Sequence, residues 1–178
     1  MVQLTQINQS LWEMPQPLGL FSGDLFDRGS DYLSAFKALS QLSNLRHRHA
    51  ESFLLTHSLE LFLKSFLVAH GTRKSELGRK ALRHNLSHIL DECDRVPIPQ
   101  VPMLRALCNQ LSEMNSDFDL RYPSGYNLSI PKPDFSIPVA DALITAIKPF
   151  VDNARVKAQL NYAADTRHLK GCKIRWSD

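Results

Sequence analysis

The run Arg83-His84-Asn85-Leu86-Ser87-His88 sets one permanent cation and two imidazoles close together in the chain. Asn85 suits the N-cap of a helix whose buried side is Leu86, Ile89, Leu90 and Cys93. Arg83 and His84 then lie just before a helix N-terminus, where unpaired N–H groups and the positive end of the helix dipole favour an anion. His88 falls roughly 200° from Leu86 around the helix, away from the apolar stripe. Such residues suit RNA cleavage. An imidazole takes the proton from the ribose 2′-OH or protonates the departing 5′-oxygen, and a guanidinium stabilises charge building on the phosphorane. A basic, exposed helix start with an idle histidine accounts for the same spacing. A metal pair is the other option, because His84 and His88 stand at i and i+4, but Asp91 or Glu92 would have to complete it.

A second constellation lies on the most apolar stretch of the chain. His57, Glu60 and Lys64 stand at i, i+3 and i+7, within one narrow helical face, and Glu60 precedes Lys64 in the order that favours an ion pair. The plain expectation is a solvated seam on an apolar helix. The sharper one is a stripe facing a cleft, where paired charges position a ligand or a neighbouring loop. A third feature, Leu120-Arg121-Tyr122-Pro123, makes a stiff turn that presents a guanidinium. A structural use for it is pairing of Arg121 with Glu60 across the fold. There is no Gly-x-Ser-x-Gly, glycine-rich phosphate loop or HExxH, and no cysteine has an evident activating partner.

These residues must be held by helices. Leu55, Leu59, Phe62 and Phe66 follow the helical period, and Leu54, Leu61 and Val68 widen the apolar surface, which predicts a long helix from about Glu51 to His70 ended by Gly71. Such a helix must be buried on several sides, in a bundle or a dimer interface. Tyr32, Leu33, Phe36, Leu39 and Leu42 predict a helix from a Ser30 N-cap to about Leu45. Further helices are expected over a turn at 75–82, from Leu86 until Pro97 and Pro99, over 102–116, and over 139–162. Pro123, Pro131, Pro133 and Pro138 predict a long irregular loop over 117–138. The fold class is therefore all-α: a bundle of about five helices with a long Pro-rich loop before the last. The organisation expected is an irregular arm over 1–28, the bundle over 29–160 and a polar, basic, loosely attached tail over 161–178.

Bulk properties narrow the function classes. The 178 residues carry a net charge of only +3, so no global field points to nucleic acid or membrane. Locally, Arg73, Lys74, Arg79, Lys80 and Arg83 face a single acid, Glu76, which makes a solvated face or a phosphate-binding one. The first residues lack the basic start and apolar stretch of a signal peptide, and the long helix is interrupted by His57, Glu60 and Lys64, so no membrane association is expected. Cys93, Cys108 and Cys172 are odd in number and widely spaced, which suits a reducing, cytoplasmic setting.

His57-Ser58-Leu59-Glu60-Leu61-Phe62-Leu63-Lys64, then Gly71, then His84-Asn85-Leu86, then Arg121-Tyr122-Pro123, together resemble the HEPN superfamily of helical proteins over roughly residues 32–156. The match is narrower to small bacterial members with an H-x-x-E-x-x-L-K helix, a G-H-D-L helix start and a later R-Y-P. The resemblance implies an antiparallel helical bundle, commonly a homodimer. Members include metal-independent ribonucleases of toxin–antitoxin and phage-defence systems, which need no cofactor, and inactive binding modules. Active members carry arginine, a polar residue, three further residues and histidine, a spacing that Arg83 to His88 fits. Here the motif opens the third clear helix, whereas the family usually places it on a late one. Two expectations follow. One is an endoribonuclease with His88 as acid or base, Arg83 on the phosphate and His84 assisting, with an antitoxin-like protein as a possible partner. The other is a catalytically silent dimer binding a nucleotide, nucleic acid or protein in a cleft lined by His57, Glu60, Lys64, Arg121 and Tyr122.

Overall fold

The computed structural model describes residues 11–42, 47–79, 82–114, 130–169 and 172–177. Six α-helices and one short parallel ribbon are formed there, in the order β1 (Leu11–Pro15), α1 (Leu18–Ser40), α2 (Arg48–Ala69), α3 (Lys74–Leu77), α4 (Leu86–Asp94), α5 (Leu104–Met114), α6 (Pro133–Asp165) and β2 (Lys173–Ser177). The fold is an all-α helical bundle. The centre is α2, which packs against α1, α4 and α6.

Every residue of α2 from Ser58 to Val68 is buried, so this helix is enclosed on all sides by its own chain. The breadth of its apolar surface is thus used up inside the monomer. By length and composition alone α2 would pass as a membrane span, but 78% of its most apolar window is buried within the bundle, as befits a core helix. Its end follows the expectation at Gly71. With φ at +102°, Gly71 donates to the carbonyl of Val68 while Thr72 donates to that of Leu67, the paired bonds of a Schellman cap.

α1 begins at Leu18, directly after Pro17, and not at Ser30; residues 18–28 are helical and no part of an irregular arm. Ser30 is interior and donates its hydroxyl to the carbonyl of Phe26, one turn back. Three glycines disguised this helix, because glycine lowers helix propensity. They serve close approach instead. A Cβ on Gly19 would stand 2.1 Å from the carbonyl oxygen of Ala154 on α6, and the atoms nearest to one on Gly23 belong to the Arg155 side chain. Gly19→Ala is therefore expected to destabilise the bundle by about 1–3 kcal/mol, since two helix backbones must separate. Gly23→Ala should cost less, because a flexible side chain can swing aside. Urea unfolding of both variants checks the order; equal stability of Gly19→Ala and wild type would refute the close contact.

The second departure is in α6. Pro133 occupies its first turn, where a missing N–H is harmless, and Pro138 lies inside the helix although it was expected to exclude one. Burial of Ser136, Val139, Ala140, Leu143, Ile147 and Val151 along one side compensates for the lost backbone bond. The apolar faces expected of α4 and α5 are all buried, including Cys93 and Cys108. Burial pushes both thiols up, Cys108 to about 12, which makes them inert. The basic tail is not loose throughout: Lys173–Ser177 pairs in parallel with Leu11–Pro15, with Glu13 opposite Arg175.

Candidate functional site

Glu60 gathers the site. Its side chain is only 5% exposed, yet it is surrounded by a lysine and two imidazoles supplied from its own helix and from the connector before α4. Lys64, one turn on, donates to Oε1 at 2.7 Å, and its Nζ also donates to the main-chain carbonyl of Arg83 at 2.8 Å. His84 presents Nδ1 at 3.3 Å from the same carboxylate, and the His57 Nδ1 lies at 3.7 Å. A carboxylate accepts only, so His84 carries its proton on Nδ1 in this contact. Glu60 and Lys64 are thus a buried pair, 4% and 9% exposed as whole residues, and the solvated seam expected of this stripe is not what forms. Burial wins because the connector folds over the pair and satisfies it.

Burial alone would push the Glu60 carboxyl up, but His57, Lys64 and His84 around it outweigh that and hold it at about 2, against 4.5 for an unperturbed glutamate. The folded value lies below the unfolded one, so the contribution is fully present above about pH 4.5 and is lost as pH falls towards 2. Its size is about 3 kcal/mol. The stability gap between wild type and Glu60→Gln should therefore shrink steadily across that acid range in urea titrations. A gap independent of pH would contradict the ionised, caged carboxylate.

His57 is flanked by aromatic rings. Tyr32 of α1 lies 4.8 Å from it in a tilted contact, and Phe53, one turn earlier on α2, stacks at 5.7 Å. Neither ring was expected at this site, although Tyr32 was read as an apolar position of the first helix. Phe53 could have been found from its i, i+4 spacing to His57, whereas Tyr32 reaches the site only through packing of α1 on α2. Another unforeseen member is Thr56, on the Glu60 side of α2. Its hydroxyl is the one buried side-chain polar atom without a partner among the described residues. Thr56→Val should stabilise the fold by about 1 kcal/mol, because it removes a desolvated, unsatisfied group while keeping the shape. A loss of stability in thermal melts would mean that the hydroxyl has a partner.

The first turn of α4 forms as expected. The Asn85 side chain accepts from the His88 N–H at 3.0 Å and caps the helix. Ser87 is braced from α5, its N–H on the Ser112 hydroxyl and its own hydroxyl on Asn109. The side chains of Arg83 and His88 are exposed. The structure therefore divides the expected catalytic trio: His84 is drawn in to Glu60, Arg83 is anchored by its carbonyl with its guanidinium outward, and His88 stands on the outer helix surface. The metal option loses its completing ligands, because Asp91 accepts from Arg105 at 2.6 Å and Glu92 from Arg95 at 2.7 Å. No group of three His, Cys, Asp or Glu side chains converges among the described residues. Arg121 and Tyr122, expected in the cleft, lie outside the described residues, as does the Arg121–Glu60 pairing.

What converges is a buried carboxylate that orients one imidazole, holds a second close by and, through Lys64, fixes the backbone that carries an exposed arginine. Against known proteins the chain matches no family model, no curated protein and no solved structure, so the chemistry of this site rests on its own residues and distances.

Proposed function

We propose that this chain is a HEPN-like helical protein that cleaves RNA without a metal ion. The observation that carries the reading is the His84 imidazole held by the buried Glu60 carboxylate beside the exposed Arg83. A carboxylate that fixes the ring and its tautomer is the usual support for a proton-transferring histidine. In the reaction His84 takes the proton from the 2′-OH, whose oxygen attacks the adjacent phosphorus. Arg83 neutralises charge on the phosphorane, and the 5′-oxygen takes a proton from solvent as it leaves, because His88 stands apart on the outer face of α4. The products are a 2′,3′-cyclic phosphate and a 5′-hydroxyl. A homodimer would set two such sites together, an expectation that rests on the family resemblance alone.

A second reading has one specific observation in its favour. Lys64 and His84 tie the connector to α2 through Glu60 and the Arg83 carbonyl, which explains the cluster as a structural clasp. On that reading the protein is a silent module that binds a nucleotide, a nucleic acid or a protein. Incubation of the purified protein with an RNA oligonucleotide in EDTA separates the two. Fragments ending in a 2′,3′-cyclic phosphate support the ribonuclease; RNA that is bound but stays intact favours the silent module.

A further inference from the structure

The aromatic rings beside the Glu60 cluster have no part in the proposed reaction. Phe53, His57, Glu60 and Lys64 stand at i, i+4, i+7 and i+11, so one face of α2 carries two rings and then the buried ion pair. Tyr32 joins them from α1. The contacts are continuous. Tyr32 lies 4.8 Å and Phe53 5.7 Å from the His57 ring, and the His57 Nδ1 lies 3.7 Å from the carboxylate that holds His84.

Packing of α1 on α2 does not by itself account for these rings. Phe26 and Phe62, the aromatic pair that joins the same two helices in the core, are 7% and 0% exposed. Tyr32, Phe53 and His57 are only half-buried, so aromatic surface stays in water at the edge of the site. Phe53 and His57 lie within 21° of parallel, and a flat group laid on them continues an existing stack.

Charge does not select what rests there. Asp31, next to Tyr32, and Glu51, two residues before Phe53, offset Arg28 and Arg48, so no field of one sign covers the patch. Its distinctive offer is π surface, which every nucleobase can use and a phosphate cannot. The phosphate belongs instead beside Arg83 and His84. Bases in a duplex are already stacked on each other, so only an unpaired one is free to lie on protein rings.

We propose that the Tyr32–Phe53–His57 patch receives the base of an unpaired nucleotide next to the scissile phosphate, which makes single-stranded RNA the substrate. The inference rests on the reading of Arg83 and His84 as groups that act on RNA. Stacking tolerates any base, so the patch favours unpaired strands without fixing their sequence.

The test uses the full chain and a fluorescein-labelled single strand with 2′-O-methyl sugars, which carries bases but no nucleophile, followed by fluorescence anisotropy. A strand of the same charge built from abasic sugars should bind at least about tenfold more weakly, an arm that leaves the protein untouched. The same sequence annealed into a duplex should weaken similarly. Phe53→Leu keeps apolar bulk but removes the ring, and should weaken binding of the single strand about fivefold or more while melting close to wild type. Absence of binding by the single strand would overturn the proposal. So would equal binding of the abasic strand or the duplex, or equal binding by a folded Phe53→Leu protein. Incubation with unmodified RNA keeps the two readings apart. Base-dependent binding without cleavage leaves the patch standing and removes the ribonuclease, whereas cleavage with equal abasic binding does the reverse.

Discussion

Replacing Glu60 by alanine is expected to destabilise the protein by about 3–5 kcal/mol, the usual cost of breaking a buried ion pair from one side. Lys64 would be left 9% exposed with a charge and only the Arg83 carbonyl to hold it. His84 would lose the carboxylate that draws it inward. The loss concentrates at the connector before α4, whose hold on α2 runs through these contacts. In a chain of this size it corresponds to a fall in melting temperature on the order of 10 °C. The pair Glu60→Leu with Lys64→Met should recover most of it, because removing both charges also removes their desolvation cost. Urea and thermal unfolding of the single and double variants measure both. A Glu60→Ala protein within about 1 kcal/mol of wild type would show that the cluster does not hold the connector.

His84→Ala is expected to lower the rate of RNA cleavage by about 10²–10⁴, the range for loss of a positioned proton-transfer group. On the proposed mechanism Arg83→Ala should cost a comparable 10²–10³, because there the guanidinium would act on charge that appears only in the transition state. The two should differ in stability. His84 contacts the buried carboxylate, so its removal also loosens the connector, whereas the Arg83 side chain is exposed and its structural bond is made by the main-chain carbonyl. Arg83→Ala should therefore melt close to wild type while losing activity. An Arg83→Ala protein that cleaves RNA at the wild-type rate would remove the guanidinium from the reaction.

Much of this architecture was legible in the chain, and the misses have physical causes. The stripes of α2, α4 and α5 could be read directly, since a helix that buries one face must repeat its apolar residues at helical spacing. Asn85 and Gly71 were equally readable, because a cap and a left-handed residue are local demands with few residues able to meet them. Local rules failed where tertiary contact overrode them. Gly19 is a poor helix former until the α6 backbone is seen to pass against it, and Pro138 looks like a boundary until the buried side of α6 is seen to continue across it. The parallel ribbon joins residues from the two ends of the chain, and no local pattern announces such a pairing.

At the site, the i, i+3, i+7 spacing placed His57, Glu60 and Lys64 on one face but could not say what covers that face. Enclosure depends on the connector, whose Arg83 carbonyl and His84 ring come from far along the sequence. That is why a seam expected to be solvated is instead a buried pair. The Arg83 to His88 spacing was likewise readable, but it gave no sign that His84 would turn inward while His88 stayed outside.

The most direct measurement is the rate of cleavage of one RNA oligonucleotide in EDTA by wild-type and His84→Ala proteins, each confirmed folded by its melting transition. The proposed role predicts 2′,3′-cyclic phosphate products from wild type and a rate at least about 10² lower for the variant. Equal rates, or no cleavage by a folded wild-type protein that still binds the RNA, would contradict it.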